Sequence, residues 1–249
     1  MIKKIIFQTL KALFWVLIIF HIFLVLISLA GSLYLIKHTP QDFSLKTYRG
    51  NIGKTHTMRP LGEVPLPMRE MLIFVEDTRF YRHNGIDLRS INMALDLNQS
   101  LGYKAYGGST ITQQLARTLF LTPSKNYIRK YAEIIIALIM DGILSKERIL
   151  ELYFNCVEWG PGLYGLFDAV KENYNCAPSA LPLDSQVRLI TILPNPLEYT
   201  VRNFSGDDVM QERYLYLISF VKKRKYPGFS GKMEVKKIGA NESAGIEEE

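Results

Sequence analysis

The chain has 249 residues, a formal net charge of +6 and only two cysteines, and 48% of its residues are hydrophobic. This length suits one globular domain with attached segments, and the apolar content exceeds that of a disordered chain. Two cysteines cannot form a disulfide framework, and neither has histidines nearby at zinc-ligand spacing, which argues against a structural metal domain. The charge is mild once the N-terminal lysines are set aside, and no basic-aromatic pattern indicates a nucleic-acid-binding module.

The first segment with a clear pattern is an apolar run at residues 12–36, in which no side chain is formally charged. About 20 such residues cross a bilayer as a helix. Because Lys3, Lys4 and Lys11 precede the run, the positive-inside rule predicts a cytoplasmic N-terminus with the rest of the chain outside. A cleaved signal peptide is the alternative, since Ser28–Ala30 loosely fits a cleavage site. The apolar core of a signal peptide is shorter, roughly 7–15 residues, so the length favours an uncleaved transmembrane anchor.

Beyond the anchor, composition divides the chain into a polar linker, a long helical region and a polar tail. Helical periodicity dominates from Pro65 onward, whereas strand-like alternation is scarce, so the sequence predicts a mainly α fold. The predicted helices are 68–81, 88–99, 110–121, 126–141, 146–154, 163–173, 183–192 and 209–223. The predicted organisation is a cytoplasmic tail at 1–11, the anchor at 12–36, a juxtamembrane linker at 37–59, one domain at 60–225 and a flexible tail at 226–249.

Acidic, basic and aromatic side chains cluster near the end of the first predicted domain helix. On a helix, Glu76 would share one face with Arg79 and Phe80. His83 lies two turns from Glu76 on the same face, and the Asn84–Gly85 pair predicts a left-handed turn that ends the helix. A carboxylate in such surroundings can serve as a general base. A surface salt-bridge cluster is the alternative that spacing alone leaves open.

A second cluster follows two glycines. Gly107–Gly108 lead into Thr110-x-x-Gln113, a capping-box pattern that predicts a helix start with free backbone N–H groups. Such a helix start can bind phosphate or another anion. Most helix starts bind nothing, but Gln114 and Arg117 one turn further on favour a binding role.

A third cluster stands at the entrance of the predicted helix at 126–141. Seven apolar residues follow Glu133, so this helix is expected to be buried on all sides and to stop at Gly142. A carboxylate at the mouth of a buried helix is costly unless it is paired or functional. Structural pairing with Arg129 or Lys130 is the alternative to a functional role.

Six motifs occur in one order along roughly residues 60–199. They are Glu76-Asp77-x-x-Phe80-x-x-His83-x-Gly85-x-Asp87, Gly107-Gly108-Ser109-Thr110-Ile111-Thr112-Gln113-Gln114, Arg129-Lys130-x-x-Glu133, Ser145-Lys146-x-x-Ile149-Leu150-Glu151-x-Tyr153-x-Asn155, Gly160-x-Gly162-x-Tyr164-Gly165 and Leu193-Pro194-Asn195-Pro196. Together they resemble the peptidoglycan glycosyltransferases of bacterial cell walls. The resemblance implies a mainly α, lysozyme-like glycosyltransferase domain with a smaller membrane-proximal lobe, preceded by one transmembrane helix. It is closest to the monofunctional type, because no transpeptidase domain is expected after the last motif.

The resemblance implies that the chain polymerises lipid II, a disaccharide-peptide carried on undecaprenyl diphosphate. The 4-hydroxyl of an acceptor sugar attacks the anomeric carbon of the growing lipid-linked chain with inversion, and the lipid diphosphate leaves. The resemblance makes Glu76 the catalytic base, and Glu133 a second catalytic residue that assists the leaving group directly or through a divalent cation such as Mg²⁺ or Mn²⁺. The residues that it assigns to substrate binding are Asp77, Arg79, Phe80, His83, Ser109, Thr110, Gln113, Gln114, Arg117, Arg129 and Lys130.

The partners implied are lipid II, the growing glycan strand, the membrane and other cell-wall synthesis proteins, with no nucleic acid. The implied location is the cytoplasmic (inner) membrane, crossed once with the N-terminus inside and the catalytic domain in the periplasm or outside the cell. The family's membrane-facing lobe corresponds to the region between the first two motifs, and its apolar side chains are expected to contact lipid. These side chains are Ile91, Met93, Leu95, Leu97 and Leu101.

The chain departs from the family pattern at several positions. Arg117–Thr118 replaces a lysine and an asparagine, which keeps the charge but changes its geometry. Asp141 replaces a glutamate, and residues 168–191, expected to serve packing, follow the pattern loosely. Two rival functions are a lytic transglycosylase and a non-catalytic scaffold; a diphosphate-binding loop argues against the first and both retained glutamates against the second. Cys156 and Cys176 either pair or remain free thiols.

Overall fold

The computed structural model describes residues 2–37, 58–102, 107–122, 124, 126–201 and 208–226. The α-helices are α1 (Ile2–Lys37), α2 (Leu66–Glu76), α3 (Leu88–Leu101), α4 (Ile111–Phe120), α5 (Tyr127–Ile143), α6 (Lys146–Cys156), α7 (Leu166–Tyr174), α8 (Leu183–Ile192) and α9 (Asp208–Arg224). Short 3-10 turns span Leu61–Glu63, Phe80–Arg82 and Pro178–Ala180, and the strands are β1 (Glu158–Gly160) and β2 (Leu163–Tyr164). The prediction of a mainly α fold is confirmed. Most of the predicted linker, and the predicted tail after its first residue, lie outside the described residues.

Helix α1 contains the predicted anchor and extends beyond it towards the N-terminus. Its most apolar 18-residue stretch, within Ile2–Ile36, has a mean hydropathy of 2.8, so the helix is long and apolar enough to cross a membrane, as a single-pass anchor would. Its second half packs along α5, and one face of that half is buried. The buried side chains of this face are Leu24, Ser28, Ser32 and Leu35.

Two local contacts fix α1 on the helical domain. A Cβ atom added at Gly31 would lie 2.4 Å from Cε1 of Phe120 in α4, so the Phe120 ring packs against the backbone of α1 because residue 31 has no side chain. Further along, Nε of Arg148 donates a hydrogen bond of 3.1 Å to the carbonyl oxygen of Leu35. Helix α1 therefore docks on the domain rather than merely preceding it.

The core lies where α2, α4, α5, α6 and α8 pack together, with α9 lying over α2 and α8. Phe154 and Trp159 stack in this core with ring centroids 5.7 Å apart. β1 and β2 form a short antiparallel hairpin whose turn places Gly162 at a φ of 73°. The prediction of a helix from residue 163 is wrong at its start, because Leu163–Tyr164 pairs with β1 and α7 begins only after it.

Helix α2 ends earlier than predicted. The predicted helix at 68–81 stops at Glu76, because Asp77 leaves the helical conformation with a φ of −159°. The Asp77 carboxylate accepts hydrogen bonds from Nε2 of His83 at 2.9 Å and from the backbone N–H of Ile111 at 3.0 Å. The side chains that helical spacing grouped with Glu76 therefore do not share one helical face.

Two glycines predicted to end helices have other roles. Gly85 adopts the left-handed conformation, with a φ of 84°, but lies in a loop beyond α2. Its added Cβ would lie 2.5 Å from the carbonyl oxygen of Ala137, so this glycine allows the loop to touch α5. Gly142 does not stop α5, which continues to Ile143 and ends at an extended Leu144. That prediction is wrong because a glycine within a helix costs only about 1 kcal/mol, which surrounding packing readily offsets.

Helix α5 is not buried on all sides. Ile136, Ala137 and Met140 are buried, but Tyr131 and Leu138 are exposed. The prediction of complete burial is wrong because α1 and α4 cover α5 from some directions and leave the rest of its surface open.

Candidate active site

The carboxylates of Glu76 and Glu133 both contact side chains of α4. Nε2 of Gln114 donates a hydrogen bond of 2.7 Å to Oε2 of Glu76, and Nη1 of Arg117 lies 3.7 Å from Oε2 of Glu133. Residues three positions apart on a helix are neighbours on the same face. Gln114 and Arg117 therefore hold Glu76 and Glu133 on the same side of α4, at the centre of the candidate site.

Both carboxylate oxygens of Glu76 have partners. Nη2 of Arg213 pairs with Oε1, while Gln114 occupies Oε2. The Tyr153 hydroxyl donates a hydrogen bond of 2.7 Å to the amide oxygen of Gln114. Burial, and then the negative charge of Glu76, raise the pKa of Tyr153 well above its usual value, so this phenol stays protonated and donates. The amide nitrogen of Gln114 is thereby turned towards Glu76.

Glu133 is fully buried among cations. Arg129 and Lys130 both pair with it, and Arg117 is the third cation nearby. Lys130 also donates a hydrogen bond of 2.9 Å to the hydroxyl of Ser109. Three cations around one carboxylate leave two positive charges in excess, and two of these cations, Arg117 and Lys130, are more than a third exposed. This excess is suited to an anionic ligand with several oxygen acceptors.

The start of α4 has the predicted capping box. The Thr110 hydroxyl accepts from the backbone N–H of Gln113 at 3.1 Å, and the side-chain oxygen of Gln113 accepts from the backbone N–H of Thr110 at 3.0 Å. The Thr110 hydroxyl also donates to the carbonyl oxygen of Gly85 at 2.6 Å, and both polar side chains are buried. The backbone N–H groups of Ile111 and Gln113 already donate within the protein. The cationic side chains are therefore better placed to receive an anion than these two N–H groups of the helix start.

Four of the predicted substrate-binding residues make their described contacts within the protein: Asp77, Arg79, Phe80 and His83. Asp77 and His83 bond to each other, as described above. Nη1 of Arg79 lies 3.2 Å from Oδ1 of Asp87, which caps α3. Burial acts to raise the pKa of Asp87. Hydrogen bonds from Ser90 and Arg89 and the charge of Arg79 outweigh this effect and hold the pKa below its usual range. Phe80 is fully buried beneath the ammonium of Lys146, 4.6 Å from the ring centroid. These residues support the site, and their binding role stays a prediction.

The departures from the family pattern are accommodated locally. Asp141 accepts hydrogen bonds from the hydroxyl of Thr112 at 2.8 Å and from Lys146 at 2.7 Å. The hydroxyl of Thr118 donates to the carbonyl oxygen of Gln114 at 3.0 Å, within α4. Within residues 168–191, one side of α8 and two residues of α7, Ala169 and Val170, are buried, in keeping with the packing role expected for this region.

The two cysteines are not joined to each other. Cys156 is buried in α6, and burial raises the pKa of its thiol to about 12. Cys176 is partly exposed in the turn after α7. Of the two alternatives that the sequence left open, the structure has free thiols.

The groups around Glu133 do not fit a divalent cation bound to its carboxylate. Both oxygens of Glu133 already face cationic nitrogens, so the positive charge of a metal ion would be repelled. Within the ranges that the structure describes, no group of three or more histidine, cysteine or acidic side chains could hold a metal ion. The carboxylate is balanced by arginine and lysine instead.

Helix α3 presents apolar side chains to the outside. Met93, Leu95, Leu97 and Leu101 are exposed, and Ile91 is partly buried. The four exposed side chains therefore do not belong to the hydrophobic core. An apolar patch of this kind on a helix is typical of a surface that meets lipid or another molecule.

Sequence reasoning missed the contact between Arg213 and Glu76, which are 137 residues apart. Helix α9 was predicted, but no spacing could show which of its basic side chains turns inwards. Tyr153 belongs to the fourth motif, yet the motif gave no reason to connect it with Gln114. Both contacts depend on how distant helices pack.

The sequence matches the model of a family described as "Transglycosylase" over residues 44–220. A biosynthetic peptidoglycan transglycosylase of Aromatoleum aromaticum is 39% identical over 155 residues, which cover 62% of this chain and 67% of the relative. Proteins of the same name from Dechloromonas aromatica and Thiobacillus denitrificans are 41% and 36% identical. Their aligned parts cover 64% and 65% of this chain and 68% and 69% of each relative.

Proposed function

The chain belongs to the transglycosylase family, and we propose that it polymerises lipid II into the glycan strands of peptidoglycan. It is a peptidoglycan glycosyltransferase, because relatives about 40% identical to it are named for that activity. A lytic activity is not favoured, since the names of these relatives describe synthesis. The substrate, the residue roles and the membrane topology belong to the proposal.

The arrangement on α4 carries the proposal. One turn of this helix holds Glu76, whose contacts are one neutral amide, Gln114, and one cation, Arg213. The next turn holds the cation cluster around Glu133. Transfer of a sugar from a lipid diphosphate needs a base at the acceptor and cations at the leaving group. The two halves of the site supply one each. A hydrolase that releases a neutral sugar has no need for the cation cluster.

In the proposed reaction, the acceptor 4-hydroxyl transfers its proton to Glu76 while its oxygen bonds to the anomeric carbon of the donor. The bond between that carbon and the diphosphate oxygen breaks, and its electron pair leaves with the diphosphate. Arg117, Arg129 and Lys130 balance the charge that develops on this leaving group. Glu133 holds these cations in place, and attack opposite to the leaving group inverts the anomeric centre.

The membrane topology follows from the substrate and the charges. With Lys3, Lys4 and Lys11 on the cytoplasmic side, α1 crosses the inner membrane once and places the domain in the periplasm or outside the cell. The exposed apolar side chains of α3 then face the bilayer that carries the undecaprenyl group. The partners are lipid II, the growing strand and the membrane, together with other cell-wall synthesis proteins.

The test is polymer formation from labelled lipid II by the full chain in detergent. Glu76→Gln keeps the shape of the side chain but removes the base, so turnover should fall by about 10²-fold or more while lipid II still binds. Glu63→Gln, which changes an exposed glutamate paired with Arg59, is the control and should polymerise normally.

Three results would contradict the proposal. Near-normal polymer from Glu76→Gln would remove the base from the mechanism. Release of short muropeptides from finished glycan by the wild type would establish the lytic alternative. Binding of lipid II by the wild type without any product would establish the scaffold alternative.

A further inference from the structure

We propose that Arg213, on α9, is a positioning residue that holds Glu76 in its reactive orientation. This inference rests on the proposed function, in which Glu76 is the base. Nη2 of Arg213 pairs with Oε1 of Glu76, and the arginine side chain is only 15% exposed. Nε of Arg213 donates a hydrogen bond of 3.0 Å to the carbonyl oxygen of Thr191, and Nη2 lies 3.3 Å from that of Ile190. The guanidinium is thus fixed by α8 before it meets Glu76.

The surroundings of Glu76 explain why a cation is needed there. Glu76 is the last residue of α2, and the carboxyl end of a helix carries a partial negative charge that disfavours an anionic side chain. The carbonyl groups of Ile190 and Thr191 add the negative end of α8 at the same place. Arg213 faces all three groups. Without its charge, a carboxylate at this point would turn away from two helix ends.

The two partners of Glu76 fix the plane of the carboxylate. Arg213 holds Oε1 and Gln114 holds Oε2, and Gln114 is itself oriented by Tyr153. A carboxylate has about four lone-pair positions, so each oxygen retains one for the hydroxyl of the acceptor sugar. Arg213 therefore orients the base without occupying the lone pair that receives the proton. Small misplacements of such a group reduce rates steeply.

The competing explanation is that Arg213 merely docks α9 on α2. The chain offers a matched comparison, because Arg224 of α9 also pairs with a glutamate of α2, Glu70, at 3.5 Å. That pair lies at the surface, with the arginine 56% exposed, and has no contact with Gln114 or Glu76 among the contacts of the described residues. A docking role predicts a loss of stability, larger for the buried Arg213 than for Arg224, with the kcat of the folded protein unchanged, whereas a positioning role predicts a lower kcat for Arg213 variants alone.

The experiment compares Arg213→Met with Arg224→Met in the full chain, measuring kcat and KM for lipid II polymerisation. We expect Arg213→Met to lower kcat by about tenfold or more while KM stays within about twofold, because orientation and not binding is lost. Arg224→Met should leave both constants near those of the wild type. Equal kcat values for the two variants would overturn the proposal.

A double-variant comparison separates positioning from folding. In a Glu76→Gln background, Arg213→Met should reduce the residual turnover no further, because the group that it orients is already gone. A further loss as large as the one in the wild-type background would overturn the proposal. If Arg213→Met does not fold, Arg213→Lys replaces it, since an ammonium keeps the charge but lacks the guanidinium fork. A lower kcat at unchanged KM supports the proposal there, and wild-type kcat overturns it.

The outcomes also separate this inference from the proposed function. A wild-type chain that makes no polymer contradicts the proposed function. A wild-type chain that polymerises lipid II, together with an Arg213→Met variant that matches Arg224→Met, contradicts only the role of Arg213.

Discussion

Substitution of Glu133 by glutamine tests whether the cation cluster is built to receive an anion. The change keeps the size of the side chain but removes the negative charge that Arg129 and Lys130 both contact. Since Glu133 is fully buried, the glutamine amide takes its place at the cations without a negative charge. We expect lower thermal stability as well as lower turnover.

The magnitude follows from the exposure of the partners. Removing one member of a fully buried ion pair costs about 3–5 kcal/mol. Here Arg129 is 13% exposed, but Lys130 and Arg117 are 37% and 39% exposed and can still turn towards water. Solvent screening reduces the loss to about 2 kcal/mol, between the buried and surface limits. For a domain of this size that loss corresponds to a fall of about 4–8 °C in the Tm.

The assay is thermal unfolding of the full chain in detergent, with and without inorganic diphosphate. An anion that binds the folded state raises the Tm, and the variant has three unbalanced cations where the wild type has two in excess. Diphosphate should therefore raise the Tm of Glu133→Gln more than that of the wild type. Glu63→Gln, at an exposed ion pair, should respond as the wild type does. An unchanged Tm for Glu133→Gln and no added effect of diphosphate would refute the reasoning.

Three further predictions concern the rest of the molecule. Gly31→Leu should lower the Tm in detergent, because the added Cβ would meet the ring of Phe120. Gly62→Leu, which has no atom within 4 Å of the added Cβ, is the control and should not lower it. Equal Tm values for the two variants would contradict the docking of α1. At pH 8 a maleimide should label Cys176 but not the buried Cys156, since a thiol with a pKa of about 12 stays protonated there, and peptide mass spectrometry reads the outcome. In liposomes containing a photoreactive lipid, cross-links should form within α3 (Leu88–Leu101), and their absence would contradict a membrane-facing role.

Local rules predicted several of the helix starts. The capping box at Thr110 and Gln113 appears as expected, and α8 begins and ends at the predicted residues. Asn126 and Ser145 cap α5 and α6 through their side chains. A helix start is decided by a few neighbouring residues, because the cap bonds to N–H groups only two or three positions away. Such signals are therefore visible in the sequence.

Helix ends near the site were less predictable, because distant partners decide them. The helix ends at Glu76, where Asp77 leaves the helical conformation and its carboxylate bonds to His83 and to Ile111, which lies 34 residues later. The same limit applies to Arg213, which reaches Glu76 across 137 residues. Motif resemblance identified both glutamates, but it could not supply the partners that hold one of them. Those partners follow from tertiary packing, which a single sequence does not specify residue by residue.

Both carboxylates of the site are linked to charges that helix dipoles disfavour. Glu76 is an anion at the carboxyl end of α2, and Arg129 and Lys130 are cations in the first turn of α5. Each arrangement is stabilised by a partner of opposite charge, Arg213 in the first case and Glu133 in the second. Proteins break local rules in this way mainly at functional sites. Because an anion bound at the start of α5 would be favoured by both the helix dipole and the excess cations, the same strain that lowers stability there favours binding of a diphosphate.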